Sequence, residues 1–541
     1  MSKEIGRVLG TADAQPLDYW VAVPHEQFVQ LDEVVVVKRV FSDAPPIAIY
    51  GIVDAMVARH EGARLETDVF LAQNGTLPLG HAVKAHVTVT RVEPEIFVPP
   101  LPGDAVFRAV GAEREQALFF DAMKKRFLLG LSRDKQLVYG NFEFLDGSRG
   151  AHVNISGISG VATKTTYALF LLYGIFQSKE LLGTEKANTH ALVFNVKGED
   201  LLFLDRPNTM LSAEARAQYE QMGLPVSPFD SVGLFAPVRR DQKVMIADTG
   251  SRSDGVLAYC WTLEEFCRQR LLRFLFTEAD QETSRLAALV ARIESHLVDE
   301  EVHDFGTFDE LIAHIEANLE HWAGNEASGT QTSFMRRLQS AAYRVGHLIR
   351  GKVENSEHHS IQWKQKRVTV IDIHNLHDLA KRFVVGVMLR RMLEDKEASG
   401  SARPLVFVVL DELNKYAPRE GWSPIKDVIL DIAERGRSLG VILIGAEQTA
   451  SQIERRVVAN SSLRVVGRLD TAESQHAEYG FLPAPSRARA GILKPGTVIV
   501  SQPEIPIPLL VQFPFPAWAT RPAEAAQAAK AGADLFAKFE K

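Results

Sequence analysis

The chain contains 541 residues, which predicts several structural units rather than one, since domains commonly span about 100–200 residues. Hydrophobic residues make up 46% of it and charged residues 24%, a composition that excludes a disordered chain. Lys and Arg total 61 against 68 Asp and Glu, and the net charge of -7 excludes a uniformly basic nucleic-acid binder while allowing a local basic channel.

Cysteine usage and the apolar runs indicate the compartment. Cys260 and Cys267 have no His or Cys partners at metal-ligand spacing, so we expect a reduced chain without disulfides or a zinc site. The first residues, MSKEIGRVLG, carry charges and lack the apolar segment of a signal peptide. The longest apolar runs, such as LFLLYGIF from Leu169 to Phe176, fall short of the roughly 20 residues of a spanning helix. We therefore expect a cytoplasmic protein that does not enter a membrane.

The first 110 residues predict a small β-barrel. Short apolar stretches there are broken by Gly, Pro, Asn and Asp, and HAVKAHVTVTRV alternates apolar and polar residues with the period of two that is typical of half-buried antiparallel strands. A closed barrel is the expected arrangement because it removes exposed sheet edges. Residues 111–150 are interpreted as a connecting segment.

From Ala151 onwards, apolar strands alternate with helices, which predicts a parallel α/β sheet. We assign residues 151–260 and 366–520 to two parts of this α/β core. Between them, residues 261–365 show apolar positions spaced by three and four, which predicts a helical insertion. Residues 521–541 are rich in Ala and predict a terminal helix.

A phosphate-binding loop is predicted within HVNISGISGVATKTTYALFLL, between a strand and a helix. Gly157 and Gly160 provide the turn, Lys164 the charge for the β and γ phosphates, and Thr165 the hydroxyl for magnesium. The match to GxxxxGK(S/T) is imperfect, because Thr163 replaces the Gly before Lys and the loop is one residue longer. The alternative is a Gly-containing strand-to-helix turn with a surface lysine.

An acid pair follows the apolar run PLVFVVLDE. A buried parallel strand carries Asp411 and Glu412 to the carboxyl edge of the sheet, beside the loop. Asp411 would hold magnesium, and Glu412 would orient and polarise the attacking water. The alternative is a strand that ends in solvated acids, but the Lys164 loop in the same α/β domain favours the nucleotide interpretation.

The segment AERGRSLGVILIGAEQTAS provides a third signal. Its helix ends with Arg435 and Arg437, and its strand is followed by Gln448. A Gln at the end of a strand beside the acidic one can sense the γ-phosphate, and an Arg at the far end of the helix can stabilise charge at a neighbouring subunit's phosphates. Alternatively, both arginines are helix-end cations favoured by the helix dipole.

These motifs resemble the HerA family of hexameric DNA-translocating ATPases and helicases, relatives of the FtsK-type pumps. The resemblance covers nearly the whole chain, and VFVVLDELNKYAP and ERGRSLGVILIGAEQTASQI are its more specific parts. It implies an N-terminal β-barrel (HAS-barrel), a RecA-like P-loop ATPase core, and a ring that moves double-stranded DNA. The loop departs from the family's usual GxTGSGKS, which puts the form of the phosphate cradle in question.

The resemblance also implies residue roles, with ATP and Mg²⁺ as cofactors. The implied nucleotide contacts are Gly157, Gly160, Thr163, Lys164, Thr165 and Thr166. The implied metal ligands are Thr165 and Asp411, and the implied catalytic residues are Lys164, Glu412, Arg437 as a finger acting on the neighbouring subunit, and Gln448 as the sensor.

A homo-hexameric ring reconciles the acidic balance with DNA, because a few cations facing the axis are multiplied by symmetry. The candidate cations are Arg239, Arg240, Lys243, Arg455 and Arg456, each of which can instead be a solvated surface charge. The leading hypothesis is a translocase whose barrel docks a NurA-like nuclease for DNA end processing and repair. The alternatives are a ring scaffold of an antiviral defence complex with a sirtuin-like or nuclease effector, and a module that binds nucleotide without hydrolysing it.

Overall fold

The computed structural model describes residues 3–158, 164–240, 244–252, 254–276, 285–299, 305–351 and 353–525. The chain divides into two compact units. The first unit contains Met1–Phe142 and Arg468–Gln512, and the second contains Glu143–Gly467 and Phe513–Lys541. Each unit is therefore built from two separate stretches of the chain.

The first unit begins with the predicted barrel, which is closed in the order β1-β2-β5-β4-β3-β6 with antiparallel neighbours. Val37, Ile49 and Val87 are among the apolar side chains that fill its interior, as the alternating pattern requires. The strands are β1 Glu4–Val8, β2 Asp18–Val23, β3 Val34–Arg39, β4 Ile47–Glu61, β5 Gly80–Glu93 and β6 Ala105–Arg108.

The segment interpreted as a connection carries regular structure of its own. Helix α1 (Asp68–Gln73) lies between β4 and β5, and the segment after the barrel contains α2 (Ala112–Ala117) and the antiparallel pair β7 (Arg126–Leu131) and β8 (Leu137–Asn141). By its contacts this segment groups with the barrel.

The second unit is built on a parallel sheet in the order β12-β11-β15-β10-β16-β17-β9-β18. Because neighbouring strands all point the same way, their carboxyl ends meet at one edge of the sheet. A separate parallel pair, β13 with β14, lies in the helical insertion. The strands are β9 Ala151–Ser156, β10 His190–Asn195, β11 Val232–Pro237, β12 Val256–Tyr259, β13 Trp261–Thr262, β14 Ile349–Arg350, β15 Val368–Asp372, β16 Val406–Asp411, β17 Val441–Glu447 and β18 Ser461–Val466.

Helices connect these strands and form the insertion. Helices α5 to α9 are the predicted insertion, and buried residues such as Ile315 and Leu338 join the same apolar core as Phe383 of α10. No helix of the described ranges is long and apolar enough to cross a bilayer. The helices are α3 Lys164–Gln177, α4 Ala213–Gln221, α5 Leu263–Arg268, α6 Arg285–Asp299, α7 Phe308–Ala323, α8 Ser328–Val345, α9 Ser356–His359, α10 Asp378–Ser399, α11 Pro424–Leu439 and α12 Arg455–Ala459.

The end of the chain serves both units. Helix α13 (Ala484–Ala490) and the late strands β19 (Thr497–Ser501) and β20 (Leu509–Gln512) belong to the first unit, where β20 pairs with β19 and β7. The segment after β20 belongs to the second unit, and its Trp518 packs against Tyr173 and Phe229. Helix α14 spans Pro522–Ala525, and residues 526–541 of the predicted terminal helix lie outside the described residues.

Gly440, at the end of α11, illustrates how tightly a helix is joined to the sheet. Its φ is 69°, and a Cβ there would lie 1.7 Å from the carbonyl oxygen of Ala402. Gly400 ends α10 with a similar φ of 58° but has no atom within 4 Å of a Cβ position. The two glycines differ mainly in the space around them.

We expect Gly400→Ala to lower the free energy of unfolding by about 1–2 kcal/mol, the cost of the left-handed conformation alone. Gly440→Ala should cost about 1–3 kcal/mol more, because overpacking against the Ala402 carbonyl is added. Thermal unfolding of both variants measures the difference. Equal losses would contradict the close packing of Gly440.

Candidate functional site

Strand β9 and helix α3, near the start of the second unit, place a buried lysine at the sheet edge. β9 ends at Ser156, and α3 begins at Lys164, which is 6% exposed. The Lys164 Nζ donates to the Gly157 carbonyl oxygen at 2.6 Å, and the Gly157 N–H donates to the Glu447 carbonyl at 3.1 Å. Of the residues predicted for this loop, Gly160 and Thr163 lie outside the described residues.

Burial changes the acidity of this lysine. Desolvation lowers the pKa of Lys164, and the nearby Asp411 carboxylate offsets part of that effect. A lysine buried at the start of a helix lies where anionic phosphates are bound by helix N-termini. Its position at the start of α3 is compatible with a phosphate contact, and that role stays a prediction.

The acid pair lies beside the same helix. The Thr165 Oγ1 donates to Asp411 Oδ2 at 3.0 Å, although the two residues are 246 positions apart in the chain. The Glu412 backbone N–H donates to Asp411 Oδ1 at 2.8 Å. Glu412 has φ 56°, an uncommon conformation for a residue other than glycine, and such strained positions often occur at functional sites.

Two lysines hold the Glu412 carboxylate. The Lys197 Nζ lies 3.3 Å from Glu412 Oε1, and the Lys415 Nζ lies 2.8 Å from Glu412 Oε2. Burial raises the pKa of Glu412, but the hydrogen bonds and charges of Lys415 and Lys197 outweigh it and lower the pKa below the ordinary value. Glu412 is therefore ionised at neutral pH, as a water-activating base must be.

A cavity of about 320 Å³ joins these groups to the end of the chain. One part of its lining comes from the start of α3 and the acid strand, and another from the segment that follows β20. This volume falls in the range of small-molecule sites. The lining includes Lys164, Thr165, Thr166, Lys197, Asp411 and Phe515.

Gln448, the predicted sensor, directly follows β17, which lies between β9 and β16. Its side chain is exposed and does not line the cavity. The residue before it, Glu447, is fully buried at the end of the same strand. The structure brings Gln448 to the correct sheet edge, and its sensing role stays a prediction.

Arg437 lies at the opposite edge of the sheet from the cavity. In the last turn of α11, its Nε donates to the Gly147 carbonyl at 2.9 Å and its Nη2 to the Ser148 carbonyl at 2.7 Å. These carbonyls precede β9, a strand of six residues. At about 3.3 Å per residue, that strand puts roughly 20 Å between Arg437 and the loop end of β9. Arg437 therefore cannot serve the cavity of its own chain.

The candidate DNA-contacting cations differ in their surroundings. Arg456 pairs with Glu434 at 3.0 Å and Glu454 at 3.5 Å, which offsets its charge. Arg240 is exposed and donates to the Arg344 carbonyl at 3.2 Å. The remaining candidates are Arg239, 3.8 Å from Asp248; Arg455, which is exposed; and Lys243, which lies outside the described residues.

Histidines of the insertion engage aromatic rings. His296 stacks on Trp322 with ring centroids 5.4 Å apart, and His314 meets the same ring edge-on at 5.5 Å. No group of three or more His, Cys, Asp or Glu side chains in the described part of the chain is placed to hold a metal ion. Cys260 and Cys267 are both buried, and neither forms a disulfide.

A buried polar network that the sequence reasoning missed adjoins the cavity. Asn195, which lines the cavity, donates from Nδ2 to Asp372 Oδ1 at 2.8 Å, and His374 Nδ1 lies 2.9 Å from the same oxygen. Asp372 is fully buried. Its hydrogen bond raises the pKa of His374, and burial of the imidazole only partly opposes that effect. Asn195 and Asp372 are the last residues of the neighbouring strands β10 and β15. A polar residue at the end of each apolar strand was the signal in the sequence that could have revealed this network.

Comparison with known proteins finds similarity in structure alone. No family model matches the chain, and no curated protein matches it. The bacterial conjugative coupling protein TrwBdeltaN70, in its trigonal form with sulphate, gives a TM-score of 0.48 at 14% identity over 75% of this chain and 94% of its own. VirB4 of Thermoanaerobacter pseudethanolicus gives 0.43 at 14% identity over 74% and 98%. The genome packaging NTPase of Sulfolobus turreted icosahedral virus 2 gives 0.21 at 10% identity over 28% and 70%.

The sheet and the site together define a RecA-like P-loop core. β9 ends at Ser156 and α3 begins with the buried Lys164, while β16 carries the acid pair two strands away, with β17 between them. The α/β fold with an N-terminal β-barrel and a helical insertion is as the sequence predicts. This is the class that the molecule's own geometry establishes.

We expect His374 to make the stability of the second unit depend on pH. Because its folded pKa is raised above the unfolded value, its contribution is complete below the unfolded pKa and disappears as pH rises through the folded pKa. The loss of unfolding free energy in His374→Gln should therefore shrink from pH 6 to pH 9. Urea unfolding across that range measures it, with the exposed His358→Gln as the matched control, and a loss that grows with pH would refute the assignment.

Proposed function

We propose that this protein is an ATP-driven translocase of double-stranded DNA of the FtsK/HerA type. The observation that carries the proposal is the hydrogen bond from Thr165 to Asp411, which joins the phosphate-loop helix to the acid pair. The buried Lys164 and the ionised Glu412 complete a set of groups suited to phosphoryl transfer.

The residues present fit ATP and Mg²⁺. The Thr165 hydroxyl and the Asp411 carboxylate are hard oxygen donors, which Mg²⁺ prefers, and they already lie 3.0 Å apart. Lys164 and Thr166 would contact the phosphates. Bound Mg²⁺ would neutralise charge on the β and γ phosphates. Glu412, which is ionised at neutral pH, would accept the proton of the attacking water.

The position of Arg437 supports a ring. If this arginine acts on a phosphate, that phosphate must belong to another subunit, because Arg437 lies at the amino edge of its own sheet. A heterologous interface of this kind gives a ring when the rotation between subunits closes. We propose a homo-hexamer in which Arg437 acts on the neighbouring site and Gln448 senses the γ-phosphate of its own. The carbonyls of Gly147 and Ser148 hold the Arg437 guanidinium in place.

DNA would lie on the axis of this ring, where repetition multiplies a few cations despite a net charge of -7 per chain. Arg240 is the strongest of the predicted contacts, because it is exposed and its bond is to a carbonyl rather than to a carboxylate. Arg456 is the weakest, because two glutamates already neutralise it.

The partner proposed for the barrel is a NurA-like nuclease, with DNA end processing and repair as the process. A ring scaffold for an antiviral effector, sirtuin-like or a nuclease, would use the same barrel and remains the second candidate. The complete acid pair favours turnover over a module that only holds nucleotide, because such a module needs no ionised base beside the metal ligand.

Glu412→Gln should lower the rate of DNA-stimulated ATP hydrolysis by about 10²–10⁴-fold, since the amide cannot accept the water's proton. Nucleotide binding should persist, whereas Lys164→Ala should weaken it. Phosphate release and binding of a fluorescent ATP analogue measure the two effects. Glu420→Gln, at an exposed glutamate eight positions further on, is the control that should behave as wild type. Wild-type protein that binds ATP but shows no turnover with DNA would contradict the proposal.

Mixing two inactive variants tests the subunit arrangement. Arg437→Ala keeps Glu412 intact, and Glu412→Gln keeps Arg437 intact, so an interface between the two variants can hold one complete site. In a random equal mixture, about a quarter of the interfaces are complete, which predicts recovery of a measurable fraction of wild-type hydrolysis. Activity no greater than that of the separate variants would exclude Arg437 as a finger acting between subunits.

A further inference from the structure

Lys197 is bound to both members of the acid pair. Its Nζ lies 3.3 Å from Asp411 Oδ2 and 3.3 Å from Glu412 Oε1. The residue comes just after β10, which pairs in parallel with β16 and places Phe194 opposite Leu410. The register of β10 and β16 therefore places the Lys197 ammonium beside the carboxylates of Asp411 and Glu412 at the sheet edge.

The two oxygens of Asp411 have different surroundings. Oδ1 accepts the Glu412 N–H at 2.8 Å, so the backbone uses it. Oδ2 faces the start of α3 and accepts from the Thr165 hydroxyl at 3.0 Å. Because Thr165 and Asp411 are the proposed Mg²⁺ ligands, Oδ2 is the oxygen that would meet the metal. Lys197 approaches that same oxygen.

An ammonium and a divalent cation repel each other when they share one carboxylate oxygen. Binding of the metal must therefore displace the Lys197 ammonium. The side chain can move, because it is 43% exposed and extends from a loop. It lines the same cavity as Lys164, where the phosphates of a nucleotide would accept its charge.

We propose that Lys197 holds the acid pair before the metal binds and then transfers its charge to the phosphates of the nucleotide. This role rests on the proposed function, because it assigns Lys197 to the same ATP site. It makes Lys197 a competitor of Mg²⁺ for Asp411 and a partner of the phosphates in the loaded site. Removing the ammonium should then tighten metal binding and slow turnover together.

Lys415 provides a natural control. It bonds Glu412 Oε2 at 2.8 Å, lies three positions after Glu412, and is 41% exposed, close to the value for Lys197. Its ion pair is with Glu412 rather than with Asp411, and it does not line the cavity. Replacing either lysine removes one positive charge from Glu412, but only Lys197 shares an oxygen with the metal.

The test uses Mn²⁺, which prefers similar oxygen ligands, as a probe of the metal site. Free Mn²⁺ is titrated by electron paramagnetic resonance into full-length wild type and into Lys197→Met, Lys197→Arg and Lys415→Met, each saturated with ADP. We expect Lys197→Met to bind Mn²⁺ at least about threefold more tightly, since one nearby positive charge is gone. Mn²⁺ affinity of Lys197→Arg and Lys415→Met should stay within about twofold of wild type. Lys197→Arg keeps the positive charge beside Asp411, and Lys415→Met removes a charge that does not share an oxygen with the metal.

Hydrolysis measured on the same proteins supplies the second readout. Lys197→Met should lower kcat by about tenfold or more at saturating Mg²⁺, and Lys197→Arg should restore most of it, because a guanidinium still contacts phosphate. A merely structural ion pair would lower activity without tightening the metal. Fluorescent ADP binding in EDTA shows whether the variants keep an intact nucleotide site.

The outcomes separate this inference from the proposed function. Unchanged or weaker Mn²⁺ binding in Lys197→Met, equal tightening in Lys415→Met, or no Mn²⁺ binding by wild type would overturn the inference. Wild type that binds Mn²⁺ and ADP without DNA-stimulated turnover would instead contradict the translocase, and the Mn²⁺ titration would still decide the role of Lys197.

Discussion

The parallel direction of the second unit's strands is the constraint on which the site depends. Each strand delivers the residues that follow it to the same edge, so β9, β10, β16 and β17 bring Gly157, Lys197, Glu412 and Gln448 to that edge. None of these residues is close to the next in the sequence. A single antiparallel strand among the four would send its terminal residue to the other side of the sheet.

Lysine ammonium groups and carboxylates lie close together at this edge of the sheet. Lys164, Lys197 and Lys415 face the carboxylates of Asp411 and Glu412, and the pKa values of Lys164 and Glu412 are both lowered by their surroundings. Under the proposed function, a nucleotide would add phosphates and Mg²⁺ would add opposite charge, so loading the site would rearrange existing ion pairs rather than create charge in a neutral pocket. Such an arrangement lowers the cost of bringing ionised groups together in a partly buried cavity.

Sequence patterns alone predicted the structural features whose residues alternate regularly or whose apolar run ends abruptly. Alternation identified the barrel, and apolar runs that stop at an acid identified β16, because each pattern is local. Lys197, the Asp372 network and the return of Trp518 to the second unit depend on which strands become neighbours, and pairing across long separations leaves no local pattern. The same reason explains why residues 468–512, interpreted as ATPase core, group with the barrel.

The continuity of α11 and β17 has a mechanical consequence. Arg437 and Gln448 belong to one uninterrupted helix-to-strand segment, which Gly440 joins with no room for even a methyl group. A side chain at this joint would have to displace the Ala402 carbonyl, so a substitution at Gly440 should disturb both ends of the segment. Under the proposed function, this one segment would hold both the arginine that faces a neighbouring subunit and the glutamine at the edge of its own site.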